Sequence, residues 1–572
     1  MQKRIVRRSV QENQLTSLSS LPRLLQRIYA ARDVASVADI DRSLFALLPY
    51  RDLTDIEKAA ERLVQAILNQ ERILIIGDFD ADGATSTAVA VSALRTFGAK
   101  NVDFLVPNRF TFGYGLTPEI VDVAKTRSPQ LIITVDNGVA SIEGVARANH
   151  YSIDVVVTDH HLQGAELPNA FAIVNPNRKD DIFQSKSLAG VGVIFYVMLA
   201  VRANLESKNY FTQNNMTKPN MAELLDLVAL GTVADVVPLD KNNRILVYQG
   251  LQRIRAGLSR PGIRALLQLA GRNASRLAAM DLGFSVGPRL NAAGRLDDMS
   301  LGINCLLEND FEKALLLARN LDELNVERRA IEMEMKQQAF DIVDRMDLQK
   351  QLPMGICLYD ETWHQGVVGL VASRVKDKLN RPTIAFAKAD DKTLKGSARS
   401  VPSVHIRDVL DRVATEHPYL LSKFGGHAMA AGLSIKHQDF SAFCVVFAET
   451  VSRSLSQDQL CRVIETDGEL SADDFTLENA SVLKEAGPWG QQFPEPVFDG
   501  EFEIISQRLV GGNHLKLVLQ PKEGAHHVDA IAFQVDTNAW PNHRATHAKI
   551  AYRLDTNEYR GRSTLQLIIE DI

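Results

Sequence analysis

Short apolar, β-branched runs that each break off at an acid constrain this chain more than any other feature. Between about residues 71 and 240, Ile73–Ile76, Leu131–Val135 and Asp154–Val157 have the length and composition of strands, while Ala84–Phe97 and Ala222–Leu230 have helical periodicity. Strands that are apolar on both faces need cover on both faces, which predicts a parallel βαβ sheet between layers of helix. The strand C-termini of such a sheet share one edge, and ligands bind there. That edge is acidic here. Asp78-Phe79-Asp80-Ala81-Asp82-Gly83 follows the first strand, Asp136-Asn137-Gly138 the second and Asp159-His160-His161 the third; Asp235 lies just past the 222–230 helix. The pattern predicts one cleft holding the carboxylates of Asp78, Asp80, Asp82, Asp136, Asp159 and Asp235 and the imidazoles of His160 and His161.

Taken singly, an Asp at a strand end is a turn former or a helix N-cap. Four clusters that each end a regular element are not explained that way. So many acids in a low-dielectric cleft repel one another and need protons or divalent cations to coexist. Oxygen donors suit Mg²⁺ or Mn²⁺, and imidazoles tilt the choice towards Mn²⁺. A carboxylate shared between two ions about 4 Å apart is the arrangement that clamps an in-line phosphoryl displacement.

The rest of the chain predicts further domains, because 572 residues exceed one ordinary core. Residues 1–45 read as an N-terminal extension, 46–240 as the catalytic domain and 241–350 as an Arg-rich segment followed by a connecting helix. Residues 351–460 read as a second α/β domain and 461–572 as a small β-barrel. The helix is expected over 311–346, where Leu316, Leu317, Leu321, Leu324, Ile331, Met335 and Ile342 recur at roughly helical spacing. In the second α/β region Gly355–Leu358 is apolar, Gly366–Leu379 helix-like and Pro382–Ala387 strand-like. From Phe498 onward, short alternating runs between Gly, Asn and Asp turns predict the barrel.

A net charge of −6 excludes a generally basic nucleic-acid binder, so any polymer site needs local positive charge. Residues 251–300 offer it, with eight arginines (253, 255, 260, 264, 272, 276, 289 and 295) against three acids. The four cysteines, Cys305, Cys357, Cys444 and Cys461, form no CxxC pair and read as reduced thiols. The apolar run Ala189–Val201 is shorter than a membrane span needs, and no apolar core of a signal peptide follows the charged N-terminus. A cytoplasmic, monomeric protein without a membrane segment is the expectation.

The four acidic clusters resemble, in order, the motifs of the DHH phosphoesterase superfamily, the third of which supplies its name. The likeness extends to the RecJ family within it, through Pro107-Asn108-Arg109, Gly113-Tyr114-Gly115-Leu116, Gly287–Arg295, Trp363–Gly366, Lys423–Gly432 and Gly487-Pro488-Trp489-Gly490. It covers roughly residues 45–572. Phe79 stands where relatives also carry Tyr. The resemblance implies an α/β fold of two lobes, DHH and DHHA1, joined by a long helix and followed by an OB-like barrel. It implies a single-stranded-DNA-specific 5′-to-3′ exonuclease of DNA repair and recombination that releases nucleoside 5′-monophosphates. Two divalent metal ions, Mn²⁺ or Mg²⁺, would be held by Asp80, Asp82, Asp136, His160, His161 and Asp235, with Asp136 as the bridge. Asp78 and Asp159 would ligate or act from behind the ligands, and His161 would ligate or contact the scissile phosphate. Implied partners are single-stranded DNA, a single-stranded-DNA-binding protein and a RecQ-type helicase.

Substrate contacts are expected from Arg109, Arg289 and Asn291, and in the second lobe from Ser397, Arg399, Gly425, Gly426 and His427. Gly425-Gly426-His427 opens an Ala-rich segment, and glycines followed by a helix N-terminus suit a phosphate. In the barrel, Arg508, Lys516, Arg553, Arg560 and Arg562 with Phe533, Trp540 and Tyr559 are the candidate strand contacts. Two other readings remain: a phosphodiesterase or pyrophosphatase of small substrates, which needs only the two lobes, and a non-catalytic nucleic-acid scaffold. The intact acids oppose the second, since an unused acid cluster is a liability.

Overall fold

The computed structural model describes residues 3–108, 112–348, 352–522, 524, 526–559 and 562–572. These form two compact units, one of residues 7–322 and 465–572 and one of residues 1–6 and 323–464.

The first unit is built on five parallel strands, β1 (Ile73–Ile76), β2 (Val102–Leu105), β3 (Leu131–Val135), β4 (Asp154–Thr158) and β5 (Ala172–Val174), in the order β2-β1-β3-β4-β5. β1 and β3 are buried throughout, as their uninterrupted apolar sequences require. The order reverses between β1 and β3, so the crevice of this sheet opens at their C-terminal ends. Helix α1 (Ala81–Thr96) leaves β1 directly. It begins three residues before the apolar periodicity does, because Asp80 is extended and caps it, accepting from Gly83 N at 3.0 Å. Its Ala, Ser, Thr and Val side chains are small enough to pack against both α2 (Gly190–Ser207) and α3 (Leu225–Ala234). By length and composition α2 passes for a membrane span, yet from Gly190 to Met198 its side chains are buried in this core. Residues 240–300, irregular in sequence, are mostly helical, with helices over Lys241–Arg255 and Pro261–Leu269, a wide π turn over Leu282–Val286 and α4 (Gly287–Leu296). The C-terminal barrel is closed, in the order β11 (Phe498–Val510), β12 (His514–Pro521), β13 (Val528–Ala532), β15 (Arg562–Asp571), β14 (His547–Tyr559). Leu515, Leu517, Leu519, Ala530 and Leu567 fill its interior.

The N-terminal extension is tied to the approach to this barrel. Arg32 pairs with the buried Asp467 through two nitrogens, Arg7 pairs with Asp499, and Tyr29 donates to Ala486 O at 2.7 Å.

The second unit carries a mixed sheet, β9 (Lys423–Gly426), β10 (Ala430–Lys436), β8 (Thr393–Arg399), β7 (Thr383–Lys388), β6 (Ile356–Tyr359), with only β6 and β7 parallel. Helix α5, Phe311–Leu348, runs 38 residues from the first unit's sequence into the second's, and α6 spans Val368–Leu379. One expectation fails here. No helix follows Gly425-Gly426-His427; the Ala-rich segment is the return strand of a hairpin, pairing Gly426 with Ala431 and Lys423 with Ser434. The alternating burial of Ala430–Lys436 and its second pairing to β8 outweigh the helix propensity of its alanines.

Candidate metal centre

Each acidic cluster leaves its strand where the backbone turns over the sheet edge. Asp136 adopts a left-handed φ of +62°, and Asn137 holds the turn by donating to Val135 O and Ile76 O at the ends of β3 and β1. Asp tolerates that region better than a β-branched residue. Val236, with φ +63°, is the costlier case, and it directly follows Asp235 at the end of α3.

The carboxylates converge as anticipated. His160 Nε2 lies 3.1 Å from Asp136 Oδ1, 3.6 Å from Asp235 Oδ2 and 4.0 Å from Asp82 Oδ2. Ligand atoms of Asp78, Asp80 and Asp136 fall within 4.8 Å of one another, as do those of Asp82, His160 and Asp235 and those of Asp136, His160 and His161. Asp136 therefore belongs to a group on either side. Asp78 joins the cage, and Asp159 does not. Asp159 is instead saturated by donors: Oδ1 accepts from the amides of His160 and His161 and from His161 Nδ1 at 2.8 Å, and Oδ2 accepts from Val139 N. A carboxylate only accepts, so His161 carries its proton on Nδ1.

Two contributors were not among the residues expected at the site. The first amides of α2, Gly190 N and Val191 N, donate to the two oxygens of Asp82 at 2.7 and 2.9 Å. A helix N-terminus thus fixes that carboxylate. A Cβ on Gly190 would meet Asp136 Oδ1 at 2.7 Å, so glycine is required for this approach. The second is Tyr114, half-exposed, whose hydroxyl donates to Asp136 O at 3.0 Å and lies 3.1 Å from His161 Nδ1. The only sequence signal for α2 was a pair of glycines opening an apolar run.

The electrostatics are those of a cage that suits cations. Burial, then the charges of neighbouring acids, pushes Asp82 up to about 7 and Asp235 up to about 7, and drives Asp136 well above the carboxylate range. Burial and the neighbouring His161 lower His160, keeping it neutral. Burial also opposes ionisation of the Asp159–His161 pair, but each partner's charge outweighs it, holding Asp159 near 2 and His161 near 9. Asp136 Oδ1 and His160 Nε2 are buried with no hydrogen-bond geometry between them despite their 3.1 Å separation. Two buried lone-pair donors this close together, with Asp235 and Asp82 beside them, fit a divalent ion, and the O/N donor set suits Mn²⁺ or Mg²⁺.

The remaining candidates fall in three places. Ser397 and Arg399 alternate on β8 and so share a face, and Ser397 stands in register with Gly432, which pairs in turn with Gly425. Nothing lies within 4 Å of where a Cβ would stand on Gly425 or Gly432, so the sheet here has a bare glycine floor beside Ser397 and Arg399. Arg399 donates to Ser397 Oγ at 3.0 Å, and both pack closely under Gly369 of α6. Gly426 ends β9, and His427 N donates to Ala430 O in the hairpin turn. Arg289 is buried, its guanidinium held by Asp322 and Ser285 O, and Asn291 accepts from Ala81 N. Arg109 lies outside the described residues.

Of the other arginines in 251–300, Arg255, Arg260 and Arg272 are also committed within the unit, to Leu277 O, Asp226 and Ser285. In the barrel Lys516 pairs with Asp529 and Arg553 with Glu495 and Glu570, whereas Arg508, Arg562 and Phe533 are exposed and Trp540 is partly so. Arg560 and the Tyr559 side chain lie outside the described residues.

Comparison with known proteins agrees with this geometry. Residues 72–232 match the DHH family N-terminal domain, 352–453 the DHHA1 domain and 466–571 the RecJ OB domain. A single-stranded-DNA-specific exonuclease RecJ from Dickeya dadantii is 54% identical over 99% of this chain and 98% of its own length; that of Escherichia coli K12 is 53% identical over 97% and 96%. The crystal structure of RecJ in complex with Mn²⁺ from Thermus thermophilus superposes with a TM-score of 0.80 at 28% identity, covering all of this chain and 79% of that one. With its acids on the edge of a parallel sheet, its glycine-floored second lobe and its closed barrel, the chain belongs to the RecJ family of DHH proteins.

Proposed function

We propose that this chain is a metal-dependent exonuclease that hydrolyses single-stranded DNA from the 5′ end and releases nucleoside 5′-monophosphates. The observation that carries the reading is His160 Nε2 within 4.0 Å of three carboxylates, one of which, Asp136, also groups with Asp78 and Asp80. Asp80, Asp82, Asp136, His160 and Asp235 would hold two divalent ions, Mn²⁺ or Mg²⁺, with Asp78 beside them. When bound, such a pair supplies Lewis-acid charge that steadies the attacking and leaving oxygens and lowers the pKa of water.

The protein's own groups do the rest. The α2 amides hold Asp82 still, and neutral His160 offers a lone pair at Nε2. Asp159 orients His161 through Nδ1 and keeps it protonated, so that its Nε2–H can donate to a scissile phosphate oxygen as charge develops. Ser397, Arg399 and His427, over the glycine floor, take a substrate phosphate in the second lobe, with the guanidinium supplying a charge-assisted bond. The exposed Arg508, Arg562 and Phe533 of the barrel suit a single strand, by charge and stacking. We further assign residues 46–240, 351–460 and 461–572 to catalysis, substrate binding and strand binding. A cytoplasmic monomer working with a single-stranded-DNA-binding protein and a RecQ-type helicase in repair and recombination completes the reading.

The test is single-stranded DNA labelled at its 5′ or its 3′ end, incubated with and without Mn²⁺. Labelled mononucleotide should appear at once from the 5′ label alone, and only with metal. Activity confined to dinucleotides or pyrophosphate would transfer the site to a small-substrate phosphoesterase.

A further inference from the structure

The run Gly287–Arg295 entered as a candidate substrate contact, but its surroundings describe a different task. Ala81 stands between Asp80 and Asp82 in the first turn of α1, where an amide has no acceptor within the helix. Asn291 Oδ1 supplies one, at 2.8 Å. Gly294, one turn further along α4, lies so close to the same loop that a Cβ would come within 1.7 Å of Phe79 O. The two backbones touch. At its other end the same helical run meets α3: a Cβ on Gly283 would stand 3.2 Å from Val233 Cγ1, and one on Gly287 3.3 Å from Ala234 Cβ. Those two residues directly precede Asp235. The segment therefore touches both carboxylate-bearing pieces of chain and reinforces the direct packing of α3 on α1, where a Cβ on Gly231 would stand 3.0 Å from Asp82 Oδ1. Its middle is pinned as well, since Arg289 is buried and binds Asp322 of α5 at 2.8 Å and the π-turn carbonyl of Ser285.

We propose that Asn291 and Arg289 are positioning residues, and that the π turn and α4 form a splint that fixes the Asp78–Asp82 loop against Asp235 and so sets the shape of the metal cage. Asn291 is the peg on Ala81, and Arg289 anchors the splint to α5. The inference rests on the metal-dependent reading above. Its physical basis is that ion affinity depends on the placement of ligand oxygens, which the groups behind them control. A freed Ala81 amide loosens the turn that carries both Asp80 and Asp82.

The test uses the full-length chain with Asn291→Ala and Asn291→Asp, the second retaining the acceptor oxygen. Mn²⁺ affinity is titrated by electron paramagnetic resonance without DNA; kcat and KM are then measured on a single-stranded oligonucleotide at saturating Mn²⁺. Asn291→Ala should weaken Mn²⁺ binding about tenfold, lower kcat and leave KM for the oligonucleotide unchanged, while Asn291→Asp should bind Mn²⁺ at least as well as the parent. If Asn291→Ala loses its fold, Asn291→Ser serves for the same comparison. Unchanged Mn²⁺ affinity with a raised KM would overturn the splint and return Asn291 to substrate contact; unchanged values throughout would remove it from the site. Failure of the parent protein to bind Mn²⁺ would overturn the metal-dependent reading itself, and the splint with it.

Discussion

The two lobes solve opposite problems. In the first, the site is buried charge: Asp82, Asp136 and Asp159 are each no more than 2% exposed, and backbone amides hold Asp82 and Asp159. In the second, it is absence: two glycines with nothing above them, next to one serine and one arginine. A cage for divalent ions must suppress ligand motion, so it is built from strand ends in the core. A shelf for a moving polymer, as proposed for the second lobe, would have to release what it binds, which a strand face with few charges allows. The comparison teaches that the first site should tolerate almost no change and the second should degrade by degrees.

The strongest way to break that contrast is Asp136→Ala. Hydrolysis should fall by about a thousandfold or more, the scale of losing an electrostatic anchor in a dry site, with circular dichroism unchanged. The metal-free variant should also melt no lower than the parent, because burial already disfavours the Asp136 charge. Turnover within tenfold of the parent would erase the distinction between the lobes.

Arg399→Ala should cost about 1–3 kcal/mol in kcat/KM on single strands, with Mn²⁺ affinity untouched. An unaltered kcat/KM would show that the guanidinium serves the fold, where it donates to Ser397 Oγ and Ala398 O, and not the substrate. Gly432→Val sharpens the contrast further, since it fills the floor without adding charge, and its φ does not lie in the left-handed region. KM for the oligonucleotide should rise by roughly tenfold, the ~1.4 kcal/mol of a partly blocked contact, and kcat should hold. A fall in kcat at constant KM would mean that the floor does not carry substrate.

The smallest effect is on pH. Asp82 and Asp235, raised to about 7 when folded, contribute stability to the metal-free protein below the unfolded value near 4, and it is lost as pH rises through 7. Asp159, held near 2, works the other way: its contribution is present above about 4 and lost as pH falls through 2. Mn²⁺ compensates the first pair, so its effect on Tm should be larger at pH 8 than at pH 5.5, by roughly 2–4 °C. An equal shift at both values would show that ions do not replace protons there.

The same contrast explains what the sequence could say. β1 and β3 lie at the predicted residues, Ile73–Ile76 and Leu131–Val135, because an unbroken apolar run between acids has one stable use. The convergence of the acids was legible for that reason. The Lys423–Lys436 hairpin was not, since its Gly and Ala residues carry no side-chain period and its strand character comes from pairing with β8. Nor was the fate of the arginines in 251–300. Arg260 and Arg289 are spent on Asp226 and Asp322, partners that charge counting cannot assign. The N-terminal extension was silent for a related reason, because Arg32 meets its partner Asp467 435 residues away.

The central claim is that the first lobe's buried acids would hold a pair of divalent ions, with Asp136 among the ligands. Mn²⁺ binding stoichiometry, measured by calorimetric titration of metal-stripped full-length protein and of Asp136→Ala, tests it most directly. The account predicts two ions per chain for the parent and one or none for the variant, with hydrolysis of single-stranded DNA lost in step. Metal-stripped protein that degrades single strands at full rate, or an Asp136→Ala chain that still binds two ions, would contradict it.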